Sequence, residues 1–383
     1  MKKLVCSIGV LISIFLAASI MLVSCSNMGA RVTDADKREF SKSPNYDNNK
    51  GVFINQLDPV NDKIKDSGNI IDQVLEYLFG GIDTNPDQKI PDVKPDMSYF
   101  LEESPFLKVI WLGHSTILLN IDGTTILIDP HFGPSVSPVS FLFRRFQDTA
   151  LSLEELPKID IILISHDHFD HLDMKSIKHF QNRDVTFLVP LGVGVHLRRW
   201  GVSDENIIER DWWESAEVKD ITFTSTPSKH ASGRYGARLN ETQWASWAIQ
   251  GEEHNLYFSG DSGYAKHFKE IGNRLGPFDI AFIESGQYDL DLRAKHLMPE
   301  DGIQAFKDLN ARAYFPIHWG MFQLTFHAWY DPAAQLHRLA ADNNITLLAP
   351  RLGEILVFEE MKPLEDWWTP FISREWRKKH DIQ

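Results

Sequence analysis

Apolar and polar positions fall into distinct textures along this chain. Residues 4–22 form a nearly unbroken apolar run behind Lys2 and Lys3. Residues 26–49 are polar and without period, which predicts a tether. Residues 51–57 read as a short ordered start, and 70–79 carry apolar residues at helical spacing, as an amphipathic helix would. Residues 85–95 hold three prolines and read as a linker or irregular arm. From residue 107 onward, short apolar runs predict strands at 107–112, 116–121, 125–129, 160–165, 187–190, 221–226, 244–249, 255–259, 280–284 and 313–317. Asp122-Gly123 sits between two of them and predicts a β-hairpin. Helical patterns fall at 173–180, 194–200, 263–276, 299–309 and 332–343. Hairpins first, then strands alternating with helices, predict a layered α/β sandwich with sheets inside and helices outside.

Bulk properties narrow the picture. A chain of 383 residues, 43% hydrophobic, is long enough to bury a large core as one big domain or two smaller ones. Its formal net charge is −14. That disfavours a nucleic-acid partner, which Lys and Arg would have to neutralise, metallo-nucleases being the exception. The start resembles a bacterial lipoprotein signal: a basic n-region, an apolar core, and Leu22-Val23-Ser24 before Cys25. Residues 1–24 are then a signal peptide, Cys25 is lipidated, and Ser26 directs sorting toward the outer membrane or periplasmic face of a bacterium. An uncleaved anchor helix is the alternative, with the same tethering. Cys6 and Cys25 are the two cysteines. The mature chain therefore offers no thiolate, and a metal site must use His, Asp or Glu. The expected organisation is signal peptide (1–24), tether (25–50), N-terminal arm and helix (51–100), and a main domain (101–383).

The chemistry concentrates in His166-Asp167-His168-Phe169-Asp170-His171, directly after the apolar strand at 160–165. In an extended segment, side chains at i and i+2 point the same way, so His166 and His168 can grip one cation. Asp170 and His171 can face a second as the loop turns toward the next helix. Such a set is costly to bury without metal. Imidazole with carboxylate suits Zn²⁺, with Fe or Mn as alternatives.

The run resembles the signature of the metallo-β-lactamase superfamily, whose fold is an αββα sandwich of two mixed sheets flanked by helices. The resemblance implies three further ligands in order, and His230, Asp261 and His318 each follow a predicted strand. It implies two zinc ions. His166, His168 and His230 would hold one, Asp170, His171 and His318 the other, with Asp261 bridging. A hydroxide shared between two zincs forms at neutral pH. Gly260 and Gly263 would let the backbone pass close to the metals. By the same resemblance Asp129, in Ile128-Asp129-Pro130, supports the ligands from behind, and His114 does the same or is a satisfied core histidine.

Further segments are similar to one branch, the N-acylphosphatidylethanolamine-hydrolysing phospholipases D. They include Gly51-Val52-Phe53-Ile54-Asn55, Trp111-Leu112-Gly113-His114, Asp211-Trp212-Trp213-Glu214, Ser259-Gly260-Asp261-Ser262-Gly263-Tyr264 and Ile317-His318-Trp319-Gly320. The match runs from about Gly51 to Phe358. It implies hydrolysis of a phospholipid phosphodiester to N-acylethanolamine and phosphatidic acid. Asp170 and His296 are then the candidate catalytic residues, His296 for phosphate contact or proton donation. There are departures: Glu284, Asp289 and Asp291 stand in a segment that is often apolar in the family, and would repel phosphate if they faced the site. Ala231-Ser232 replaces an aromatic-containing stretch, and Leu-Met follows His296 in place of Val-Asp. Residues 132–146, rich in Phe with Arg144 and Arg145, would dip into a membrane interface or pack as ordinary core. The helix at 70–79 would line an acyl groove or pack likewise. The rival readings are a lactonase or sugar-phosphate hydrolase of the same fold, and an inactive lipoprotein scaffold.

Overall fold

The computed structural model describes residues 26–57, 81–234, 239–360 and 365–380. The expected signal peptide, Cys25 and the helix expected at 70–79 lie outside the described residues. Among the described residues no helix is long and apolar enough to cross a membrane.

Residues 26–49 do not behave as a tether. Thr33 caps a helix, Asp34–Phe40, through a reciprocal bond with Asp36. Phe40 and Tyr46 are buried with Phe53, and β1 (Tyr46–Asp47) pairs antiparallel with β2 (Val52–Phe53). Three aromatic rings supply enough apolar area to dock this segment, which its polar average concealed.

Two sheets of seven strands form the centre. The first contains β3 (Lys108–Gly113), β4 (Thr116–Ile121), β5 (Thr124–Ile128), β6 (Ile161–Leu163), β7 (Thr186–Pro190) and β8 (Ile207–Arg210) in that order. The second runs from β9 (Ser215–Val218) through β10 (Ile221–Thr226), β11 (Ser246–Gln250), β12 (Asn255–Phe258), β13 (Phe278–Glu284) and β14 (Ala311–Ile317) to β15 (Thr346–Leu347). The last strand, β16 (Ile355–Val357), returns to pair antiparallel with β3. Asp122 and Gly123, at φ 50° and 76°, make the two-residue turn between β4 and β5, where only left-handed backbone matches the strand twist.

The strands are apolar on both faces because both faces are covered. Ile117, Leu119, Ile126 and Leu163 pack across to Phe223, Trp247, Phe258 and Phe282 between the sheets. The alternate residues Leu118, Leu127 and Ile162 face Ile177, Phe180 and Leu197 of the helices Met174–Phe180 and Gly194–Arg199. Tyr257, Ala281 and Ile283 face Phe268, Ile303, Phe306 and Leu336 of the helices His267–Leu275, Pro299–Leu309 and Asp331–Asn343. This is the expected αββα sandwich. β5 to β8 are parallel, as are β12 to β15. Their C-terminal ends therefore lie at common edges, where the chemistry-bearing loops emerge.

Candidate metal centre

Strand ends deliver the functional side chains. His166 follows β6, His230 follows β10, Asp261 follows β12, Glu284 ends β13 and His318 follows β14. Gly260, at φ 53°, lets the β12 loop cross the β6 loop: a Cβ there would stand 2.7 Å from Ser165 Cβ. A Cβ on Gly263 would clash with the Ala294 carbonyl oxygen. Trp247 Nε1 donates to the Ile164 carbonyl at 3.0 Å, bridging the sheets just behind the loop.

All seven ligands expected from sequence come together, and each is buried except the partly exposed His168 and Asp170. His168 Nδ1 lies 2.9 Å from His166 Nε2 and 3.2 Å from His230 Nε2. Asp261 Oδ2 is 3.8 Å from His166 Nε2 and 3.6 Å from His230 Nε2. On the other side Asp170 Oδ2 lies 3.4 Å from His171 Nε2 and 3.2 Å from His318 Nε2. Asp261 faces this group too, at 3.2 Å from both His171 Nε2 and His318 Nε2. One carboxylate thus fronts both donor sets, as a bridging ligand must.

His114 joins the second set. Its Nε2 is 3.0 Å from Asp170 Oδ2, and its ring centroid is 4.3 Å from that of His318. It is therefore more than a core histidine. Its φ of 53° turns the ring toward Asp170, and its carbonyl accepts from His318 N at 3.0 Å. Behind the pair, Trp319 stacks on Trp111 at 4.9 Å and on Trp367 at 5.6 Å.

Asp129 is wholly buried and stands behind His171. His171 Nδ1 is 2.7 Å from its Oδ2, and Ser165 donates its N–H at 2.8 Å and its hydroxyl at 2.6 Å. A carboxylate on Nδ1 presents Nε2 unprotonated toward the centre. His171 Nε2 and Asp261 Oδ1 are buried and make no hydrogen bond. Burying such atoms without partners costs free energy. Converging imidazole nitrogens and carboxylates with unused lone pairs suit a divalent cation at their centre.

The two carboxylates make the pocket favourable to positive charge. Burial disfavours the cation on His318, yet Asp261 and Asp170 outweigh it and lift its pKa to about 9. Burial and the neighbouring His318 push His114 down to about 3.

Asp167, the one acid of the run without a ligand partner, ties loops together. It accepts from Gly233 N at 2.6 Å and Thr242 Oγ1 at 2.9 Å, with His196 Nε2 at 3.1 Å. Arg234 donates to the carbonyls of Asp167 and Leu172 at 2.7 and 2.8 Å. Its guanidinium lies 4.1 Å from the Phe169 ring centroid. Asn55 Nδ2 reaches the His230 carbonyl at 2.6 Å, so the N-terminal arm also supports a ligand. Trp244 Nε1 donates to the Ser228 carbonyl at 2.8 Å and Trp212 Nε1 to the Trp244 carbonyl at 2.7 Å, which accounts for half of the double tryptophan. His196, Arg234 and Glu284 were not picked out as functional from sequence. His196, between Val195 and Leu197, and Arg234, after Gly233, carry no spacing signal. Glu284 at the end of a buried strand was a readable signal.

Glu284 also corrects an expectation. It is buried, and its Oε1 accepts from Ser262 N at 2.7 Å and Leu297 N at 3.1 Å. Its Oε2 lies 2.8 Å from His296 Nδ1. The charge is spent on these partners rather than aimed at an incoming anion. Asp289 caps Asp291 N in a short turn, and Asp291 is exposed. The His296 ring centroid lies 5.1 Å from that of His230 and 5.5 Å from that of His318.

Arg145 likewise points inward. Its Nη2 donates to the His131 carbonyl at 2.8 Å and its guanidinium lies 5.6 Å from the Phe322 ring centroid. Of the two arginines expected to meet phosphate, only Arg144 is exposed.

Two seven-stranded sheets whose loops converge on paired His/Asp clusters define a metallo-hydrolase. The chain belongs to the β-lactamase superfamily, whose domain model matches residues 124–319. It is 37% identical over 332 residues to an uncharacterised protein of Mycobacterium tuberculosis, covering 85% of this chain and 88% of that one. It is 33% identical over 243 residues to N-acyl-phosphatidylethanolamine-hydrolyzing phospholipase D 1 of Caenorhabditis elegans, covering 60% of this chain and 68% of that one. Among solved structures the metallo hydrolase Igni18 of Ignicoccus hospitalis shares the fold, with a TM-score of 0.51 at 20% identity over 66% of this chain and 98% of its own.

Proposed function

We propose that this hydrolase is a zinc-dependent phosphodiesterase of the phospholipase D type. It cleaves N-acylphosphatidylethanolamine-like lipids to N-acylethanolamine and phosphatidic acid. The likeness to the Caenorhabditis elegans enzyme supports the substrate class. An all-His/Asp donor set without thiolate supports zinc, two ions per chain: His166, His168 and His230 for one, Asp170, His171 and His318 for the other, and Asp261 between them. Bound zinc lowers the pKa of water so that hydroxide is present at neutral pH.

The observation that carries the reading is the His296–Glu284 pair beside this centre. The ethanolamide oxygen is a poor leaving group as an alkoxide and needs a proton as the bond from phosphorus breaks. Burial disfavours a charged His296, and Glu284 outweighs it, raising the pKa. Glu284 on Nδ1 thus favours the charged ring, the form that carries a second proton on Nε2 to give. Water oxygen bonds to phosphorus, the ethanolamide oxygen leaves, and His296 supplies its proton. His114 holds Asp170 from behind and so orients a ligand.

Metal analysis and variant kinetics test this. Purified protein is expected to carry two zinc ions per chain, and His168→Ala to lose both metal and turnover. A His168→Ala protein that hydrolyses substrate at the parent rate would overturn the mechanism.

A further inference from the structure

We infer that this enzyme meets a lipid bilayer through one defined face. That face joins the chain just after residue 25 to an apolar hairpin tip at Phe141, Leu142 and Phe143. The inference deepens the phospholipid reading, because it states where such a lipid would meet the site.

The first half of the argument is the docking of residues 26–30. Trp200 Nε1 donates to the Ser26 carbonyl at 2.9 Å, and Arg234 Nη2 to the Asn27 carbonyl at 2.9 Å. Ala30 N donates to His196 Nδ1 at 3.0 Å. Trp200, Arg234 and His196 are all buried. The same Arg234 and His196 brace the 166–172 loop through Asp167 and Leu172. Residue 25 is one peptide from Ser26, and consecutive Cα atoms are about 3.8 Å apart. The chain therefore leaves the described residues from a segment docked against the back of the ligand loop rather than from the end of a long tether.

The second half is the hairpin. Residues 132–146 leave the end of β5 just beyond Asp129. Ser135 and Arg144 form an antiparallel bridge, Val136 N donates to the Phe143 carbonyl at 3.2 Å, and Leu142 N to that of Val139 at 3.0 Å. Arg145, half-buried at the base, holds the hairpin to His131. At the tip Phe141 is 66% exposed, Leu142 45% and Phe143 37%. Three consecutive large apolar side chains in water are costly unless something covers them. The N-terminal segment touches this same hairpin, since Asn27 Nδ2 reaches the Ser137 carbonyl at 3.4 Å.

The two halves select the occupant. The 19-residue apolar run at 4–22 and Cys25 precede a segment seated on the hairpin. Whatever holds that run in lipid brings the tip to the same surface. Arg144, exposed beside the tip, adds attraction for anionic headgroups.

The test uses the full chain reconstituted in phosphatidylcholine–phosphatidylglycerol vesicles. An environment-sensitive fluorophore is placed on Leu142→Cys or, as control, on Leu101→Cys, with the signal of the unsubstituted chain subtracted. Leu101 is also exposed but precedes β3, whose far end reaches His114, so it sits at the end of the sheet remote from the site. Nitroxide-labelled lipid is expected to quench the Leu142 probe several-fold more than the Leu101 probe. Equal quenching of both, or stronger quenching at Leu101, would overturn the inference. Replacing Phe141, Leu142 and Phe143 by serine is expected to lower turnover of vesicle-borne phospholipid at least about tenfold. Turnover of a soluble short-chain phosphodiester should stay unchanged. An unaltered vesicle rate would count against the docking face. Should the unsubstituted chain hydrolyse neither substrate, the function reading fails, while the quenching result still decides the docking face.

Discussion

Asparagine at position 129 would remove one oxygen lone-pair set and one charge from behind His171, with almost no change in volume. Asp129 has three hydrogen bonds to exchange: His171 Nδ1 at 2.7 Å, and the N–H and hydroxyl of Ser165 at 2.8 and 2.6 Å. The amide keeps one acceptor oxygen, which Ser165 N can use. Its NH₂ then faces His171 Nδ1, and two donors cannot meet. His171 must shift its proton to Nε2, the nitrogen that lies 3.2 Å from Asp261 Oδ1. A protonated Nε2 has no lone pair for a cation. Loss of such a supporting carboxylate typically weakens metal binding 10–100-fold, or about 1.4–2.7 kcal/mol. Losing the charge-assisted bonds of a fully buried group adds about 3 kcal/mol to the cost of folding. Competition with a fluorescent zinc chelator measures the first quantity and denaturant unfolding of the metal-free protein the second. If two ions bind as proposed, the weakening should fall on the one that His171 would hold. Unchanged affinity for both ions in a folded Asp129→Asn protein would refute the reasoning.

Three further outcomes are expected. Glu284→Gln removes the charge that raises the His296 pKa, so the rate should begin to fall at a lower pH as pH rises, with kcat at neutral pH down about a hundredfold and KM little changed; an unshifted pH profile would remove His296 from the proton-donor role. Arg234→Met leaves the carbonyls of Asn27, Asp167 and Leu172 without their donor and should cost about 3 kcal/mol in unfolding free energy, with release of the 26–30 segment to limited proteolysis. His267 is held neutral chiefly by burial and also by Lys229, its pKa pushed down to about 3. The unfolded chain binds its proton from about pH 6.5 downward while the folded chain does not, so folding stability contributed by this site falls as pH drops from about 6.5 toward 3, by at most about 1.4 kcal/mol per unit. His267→Gln should flatten that slope in a series of melting temperatures against pH.

Much of the fold was readable because the strands are buried on both faces. The runs at 221–226 and 299–309 coincide with β10 and the helix Pro299–Leu309. Edge strands were not readable in this way. Ile207–Arg210 and Ser215–Val218 are short and partly exposed, the first ending in two charged residues and the second polar on alternate positions, and β16 is recruited from far along the chain to close the first sheet. The 26–49 segment misled because a few aromatic contacts outweigh a polar average. At the site, spacing within His166–His171 signalled metal directly. His230, Asp261 and His318 needed the family likeness, since only the fold brings them within reach. His114 came from the same likeness, and Glu284 stood at the end of a legible buried strand; His196 and Arg234 act by proximity between distant loops, for which one-dimensional spacing offers no sign.

The most direct test of the central claim is product analysis by mass spectrometry after incubating zinc-loaded protein with N-acylphosphatidylethanolamine in ¹⁸O-labelled water. Attack at phosphorus predicts N-acylethanolamine without label and phosphatidic acid carrying one labelled phosphate oxygen. Diacylglycerol, free fatty acid, label in the ethanolamide, or no lipid products from protein that holds its metal would contradict it.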